Sequence, residues 1–419
     1  MIALRGGRLC DPGAGWDGPA DVYLAGGLVA AVLPAGAPAP DGCWQAVPCD
    51  GLLLVPGPVD ALCRVSLQPD PWREDVRSAA AAAAAGGYTA VLAYTGSADP
   101  AQIAALAAMS GLPVRLHPVA ALTRAGALAD LGLLADAGAV AFSDWPEPPP
   151  DAGLMRRALE YAAWVGRPVV AHPEDPGLAR GGVMHEGTVS FALGLRGVPA
   201  AAETVAVARD AALQRAFGGR LHFAALSCGD SLPLLSGATA AVTAHHLGLT
   251  EDAVRGYDAA AKLRPPLRTD EDRRALLAAA LEGRLLLASG HDPHLPADKD
   301  REYDYAAAGA SALETALPLA LGLLGPQAFV HAASRLPAAV FGLAGGTLAP
   351  GRPADLAAFA PDEEWPVDPA GFASRGRASP LAGRVLRGRP AFTCVDGRLV
   401  RGRAAAAPAG VADPDATTA

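Results

Sequence analysis

Val55-Pro56-Gly57-Pro58-Val59-Asp60-Ala61-Leu62-Cys63-Arg64 is an apolar run that reads as a strand ending near Arg64. Side chains on a strand alternate with period two, so Leu62 and Arg64 share one side and Cys63 takes the other. Seven further short apolar runs follow: Thr89 to Tyr94, Val114 to Pro118, Ala139 to Phe142, Pro168 to Ala171, Arg220 to Leu226, Ala240 to Thr243 and Leu285 to Ala288. Helix-period segments separate them, among them Leu154 to Val165, Ala201 to Phe217 and Asp270 to Glu282, where Thr269 is placed to cap and Asp272 to support the first turn. Eight β/α units over about 290 residues predict an α/β fold, a (β/α)8 TIM barrel spanning residues 55–344.

The flanks follow a different pattern. Residues 1–54 carry Ala20 to Leu24 and Leu28 to Val32, and residues 345–403 carry Asp355 to Phe359 and Phe392 to Val400, as short strands with glycine turns. The two ends are expected to fold together into one small composite β-sandwich. Residues 404–419, rich in Ala, Pro, Thr and Asp without periodicity, predict a disordered tail.

With 51% hydrophobic and 18% charged residues, 419 residues can bury a large core and a second, smaller one. The net charge of −9 is spread without runs of one sign, which argues against nucleic acid and membrane-surface partners. No basic segment followed by an apolar core opens the chain, and the expected location is the cytoplasm. The six cysteines form no Cys-x-x-Cys pair and are read as buried thiols.

Several long stretches resemble one family. They are Ala84-Ala85-Gly86-Gly87-Tyr88-Thr89, Leu154 through Tyr161, the block Gly181 through Asp210, Pro265-Pro266-Leu267-Arg268 with Glu271-Asp272-Arg273, Leu313 through Pro318, and Gly346 through Leu356. On these the chain resembles the dihydroorotases of the amidohydrolase superfamily, in the branch typical of bacteria, from its first strands to about residue 402. The resemblance implies interconversion of carbamoyl aspartate and dihydroorotate, with zinc activating a hydroxide and an Asp after the last strand moving the proton.

The positions that would carry that chemistry depart from the family pattern. A His-x-His pair on the first strand corresponds to Leu62 and Arg64, where leucine cannot ligate and arginine repels a cation. The bridging carboxylate corresponds to Trp145, the strand-six ligand to Ala225 and the catalytic Asp to Gly290; of six positions only His172 is retained. The expectation is no metal and no cofactor, with zinc only if the site has been rebuilt. A local shift bringing Asp144 or Asp292 inward is the available route, against the rule that a one-residue slip reverses every side chain of a strand. His172 is then a relic satisfied by core hydrogen bonds, and His222, His245 and His246 are structural.

Substrate positions have also changed: the carboxylate-binding Arg corresponds to Ser66, one Asn to Thr95 and another to Arg264, while His294 is retained. Arg64, Thr95, Arg264 and His294 are the candidate pocket residues. Asp144, Glu174 or Asp175 is expected to neutralise Arg64, or Arg64 and Arg264 together form an anion pocket. Three functions stay open. The first is a non-catalytic family member acting as a structural or assembly partner of aspartate carbamoyltransferase, the association the resemblance implies for degenerate members. The second is an active dihydroorotase or cyclic-amide hydrolase with a relocated site, and the third a small-anion binding protein using the barrel pocket. A homo-oligomer is compatible with each.

Overall fold

The computed structural model describes residues 1–67, 74–148 and 151–402. Eight parallel strands form the barrel: β1 (Val59–Arg64), β2 (Ala90–Tyr94), β3 (Arg115–Ala120), β4 (Ala141–Phe142), β5 (Val169–Ala171), β6 (Leu221–Phe223), β7 (Thr239–Thr243) and β8 (Leu286–Ala288). They pair in chain order; seven lie within two or three residues of the runs read from sequence, while the first run is divided, Val55 and Pro56 going to the strand Leu53–Pro56 of the other sheet and Val59–Arg64 to the barrel. The ring closes just past β8, where Cys63 and His291 form a parallel bridge and the Arg64 amide donates to the His291 carbonyl at 2.9 Å. Asp60 reinforces the seam from within: its buried carboxylate accepts from the Ser289 amide at 2.8 Å and from the Ser289 hydroxyl at 2.5 Å.

Helices pack outside the ring as the apolar periodicity predicts. One spans Ala201–Phe217, another Asp270–Leu281, and the Thr269 side chain caps the latter by accepting from the Asp272 amide. The alanine run Ala80 to Ala85 lies in helix Val76–Gly86, capped by Asp75. Cys63 sits in the layer between barrel and helices with Val76, Ala79 and Ala83, on the side opposite to Leu62. The stretch Leu313–Phe341 has the length and mean hydropathy, 1.3, of a membrane span. Its most apolar 18-residue window is 56% buried inside the protein, and the stretch is broken at Gly325, whose φ is 69°.

Both chain ends join one eight-stranded sheet in the order Arg398–Gly402, Val385–Val395, Leu356–Pro366, Leu53–Pro56, Ile2–Asp11, Trp16–Ala25, Leu28–Pro34, with Gln45–Pro48 alongside Ile2–Asp11. Its own core holds Leu4, Leu9, Val22, Leu54, Leu356 and Phe392. Asp396 and Gly397, at φ 52° and 70°, make the tight turn before the final strand, a turn type that favours Asp-Gly. Gly57 joins the two domains: a Cβ there would lie 2.2 Å from the Thr89 hydroxyl, so only glycine lets this backbone pass. Residues 367–384 leave the sheet and cross to the barrel, where Val367, Phe372 and Leu381 pack with Met184, Val254 and Tyr303. The tail expected over 404–419 lies outside the described residues. Five cysteines are buried; Cys43, read as buried, is exposed because it falls in the irregular segment before the sheet's short strand Gln45–Pro48.

Candidate functional site

The C-terminal ends of the barrel strands, where this architecture carries its chemistry, are filled by an apolar plug. Leu62, Tyr94, Trp145, Val170 and Ala225 belong to one buried cluster with the strand residues Val59, Leu92, Ala241 and Leu286. Trp145, 5% exposed, sets its indole edge-on against Tyr94 with ring centroids 5.5 Å apart. A register shift between Asp60 and Cys63 turns both Ala61 and Leu62 into this cluster, and the Tyr94 hydroxyl donates to the Ala61 carbonyl at 3.0 Å.

Charged groups lie above the plug in two cavities that share Arg64 and Asp292. The smaller, about 230 Å³, is lined by Leu62, Trp145, Pro146, Leu263, His245, Arg264, Glu147 and Gly290 besides that pair. The larger, about 710 Å³, is lined by Ser66, Thr95, Ser97, Thr123 and Arg124 among others. The four sequence-derived candidates are therefore divided. Arg64 serves both cavities, Arg264 the smaller and Thr95 the larger. His294 is spent on the adjoining loop, its Nε2 2.8 Å from the Ala308 carbonyl oxygen.

Arg64 pairs with none of its expected partners. Its Nη1 lies 3.3 Å from Asp292, because the bridge to His291 brings the residues after β8 beside the end of β1. Glu174 instead takes Arg264 in a two-point contact at 2.7 and 3.4 Å. Burial alone would raise the Glu174 carboxyl, but His172 and Arg264 outweigh it and hold it down at about 2. Asp144 is committed to its loop, accepting from the Thr123 amide at 2.9 Å and the Thr123 hydroxyl at 2.8 Å. Neither Asp144 nor Asp292 has moved to a ligand position.

His172 departs from expectation in another way. It is 1% exposed, and neither ring nitrogen has a hydrogen-bond partner among the described residues; Glu174 stands 3.6 Å from Nε2. His222 and His246 behave structurally, bonding Thr239 and Thr243 at 2.9 and 2.7 Å, and burial lowers them to about 3 and about 4. His245, held at about 3 by burial and by His246, is among the residues lining the smaller cavity, and its buried Nε2 has no hydrogen-bond partner among the described residues. Sequence reading did not single out Glu147 or Leu263, since nothing in their local pattern separates loop residues at a cavity rim from other loop residues.

Zinc needs three or four N, S or O donors converging on one point. Among the described residues no group of three or more His, Cys, Asp or Glu side chains could hold a metal ion. At the positions the resemblance assigns to the ligands and the catalytic Asp stand Leu62, Arg64, Trp145, Ala225 and Gly290, with a buried His172. These residues do not fit a zinc ion.

Comparison with known proteins gives the lineage. A curated dihydroorotase of Pelotomaculum thermopropionicum is 41% identical over 421 residues, covering 95% of this chain and 98% of that protein. The chain belongs to the dihydroorotase family. A second dihydroorotase, from Anaeromyxobacter dehalogenans, is 41% identical over 96% of the chain, and the Dihydro-orotase-like family model matches residues 51–231. Among solved structures, the L-hydantoinase of Arthrobacter aurescens superposes with a TM-score of 0.81 at 23% identity, covering 95% of each chain, a likeness of fold. The D-hydantoinase of Thermus sp. gives 0.79 at 20% identity.

Proposed function

We propose that this dihydroorotase-family protein does not carry out metal-dependent ring opening or closure at its barrel mouth, and that it serves pyrimidine biosynthesis as a structural or assembly partner of aspartate carbamoyltransferase. The observation that carries the first part is the plug: Trp145, Leu62 and Ala225 pack as one apolar cluster at the corresponding ligand positions. A metal site is lost cumulatively, since a change even behind the ligands costs about 10- to 100-fold in affinity. The family resemblance supports the second part, together with an intact frame around the changed site: a closed barrel seam, a sheet domain and a segment crossing from it to the barrel. Function sits in sites and surfaces, and a kept scaffold with an altered site is what a role in assembly requires. A cytoplasmic location belongs to the same reading.

Light scattering after size-exclusion chromatography, on this chain alone and mixed with aspartate carbamoyltransferase from the same organism, tests the partnership. A stable larger complex is expected. Independent elution well above micromolar concentration contradicts it.

The second reading is an active dihydroorotase. It is favoured by 41% identity over 95% of the chain to a curated dihydroorotase. It requires a ligand set other than the positions described above, and zinc-dependent turnover of dihydroorotate decides for it.

A further inference from the structure

We propose that the smaller cavity at the barrel mouth binds a small zwitterion, an α-amino acid with a short apolar side chain. The inference rests on the metal-free reading of the barrel mouth, and replaces the expected anion pocket by a site of balanced charge.

Two guanidinium groups, Arg64 and Arg264, and two carboxylates, Glu147 and Asp292, line the cavity. Their formal charges cancel, yet their pairing is uneven. Arg264 is neutralised from behind by Glu174 through two contacts, so Glu147 has only a 3.7 Å approach to Arg264 and keeps a side chain 70% exposed. Arg64 touches Asp292 through Nη1 alone, at 3.3 and 3.4 Å, leaving Nε and Nη2 without a partner among the described residues. Arg64, which lines this cavity and the larger one alike, thus keeps unpaired guanidinium nitrogens, and Glu147 is an under-used carboxylate of the smaller cavity.

A lone anion would face Glu147 and Asp292 as well as Arg64, and a lone cation would face both arginines. A ligand carrying both charges satisfies the unpaired guanidinium nitrogens with its carboxylate and Glu147 with its ammonium group, without adding net charge to a half-enclosed space. Size and lining narrow the class further. At about 30 Å³ for each water-sized group, a cavity of about 230 Å³ holds about eight of them. That is the scale of alanine or serine, below the roughly 300 Å³ where drug-sized pockets begin. Leu62, Trp145, Pro146 and Leu263 supply an apolar wall for a short side chain.

Calorimetric titration of the purified full chain with glycine, L-alanine and L-serine, beside acetate, methylamine and acetamide, tests this. The zinc content of each sample is measured by mass spectrometry. Expected is binding of at least one amino acid with a dissociation constant of about 1 mM or tighter, and acetate, methylamine and acetamide each about tenfold weaker or worse. Arg64→Ala and Glu147→Gln should each weaken it by about 10- to 100-fold, the range for a lost charge-assisted hydrogen bond. Glu147 is exposed, so its variant remains informative if Arg64→Ala fails to fold. Acetate binding as well as the amino acids, or no binding by zinc-free protein, overturns the zwitterion site and leaves the metal-free reading standing. One zinc per chain overturns both.

Discussion

The Arg64 guanidinium meets the Asp292 carboxylate at 3.3 Å across the barrel seam, joining the end of the first strand to the loop after the last. Asp292 is nearly buried. Burial would raise its carboxyl, but His294 and Arg64 outweigh it and hold it below the usual range. By the family resemblance Arg64 corresponds to an imidazole ligand, and in this structure its fixed positive charge meets that carboxylate.

Removing the arginine leaves Asp292 with a weaker partner set. Because 42% of the Arg64 side chain is exposed, Arg64→Ala should cost only about 1 kcal/mol of stability. The Arg64→Ala and Asp292→Asn double variant should lose less than the sum of the two single changes. Urea denaturation of the four proteins measures the difference, and strict additivity would show that the pair contributes no coupling.

Trp145 fills the barrel mouth, so Trp145→Ala should open a cavity among Leu62, Tyr94 and Ala225 and destabilise the fold by about 3–5 kcal/mol. Trp145→Phe, which keeps most of the volume, should cost clearly less. Equal losses for the two would mean that the indole does not pack as described.

Acid sensitivity should begin well above the carboxylate range. Burial lowers His117, His185 and His246 to about 4 and His222 and His245 to about 3. In the unfolded chain each takes a proton near pH 6.5, and the folded chain takes it only far lower. The unfolded state therefore binds more protons in that window: the stability is fully present above about 6.5 and is lost as pH falls toward 4 and 3. Glu74 and Glu174, held at about 2 despite burial by His291, Ser374 and Ser78 and by His172 and Arg264 respectively, add a second loss as pH falls from 4.5. Thermal melting against pH should decline from about pH 6.5 and steepen below about 4.5. A midpoint unchanged between pH 7 and 5 would contradict the histidine assignment.

The barrel was readable in the sequence because its strands are continuous apolar runs bounded by glycine and proline, and the departures from the family's donor pattern were readable because the residue type at a position needs no coordinates. Side-chain partners were not. The period-two rule placed Leu62 and Cys63 on opposite sides, but it did not reveal the register shift after Asp60 that also turns Ala61 inward. Arg64 pairs with a residue 228 positions away, set by barrel closure, while of the nearer acidic candidates Asp144 is committed to Thr123, Glu174 to Arg264 and Asp175 to the amides of Gly177 and Leu178. Glu174 lies between His172, 3.6 Å from its Nε2, and Arg264, 2.7 Å from its Nη2, an arrangement of three side chains that no local pattern encodes.

Chelation offers a direct comparison of states. A ligand that binds only the folded form raises its stability, so removing a structural or catalytic zinc would lower the melting midpoint. Treatment with a chelator is expected to leave the midpoint of this chain unchanged.

The central claim is tested most directly by assaying dihydroorotate and carbamoyl aspartate interconversion with purified protein of known zinc content, before and after zinc is added. The account predicts less than stoichiometric zinc and no rate above that of heat-inactivated protein in either condition. Turnover that rises with bound zinc toward one or more ions per chain would contradict it and establish an active dihydroorotase.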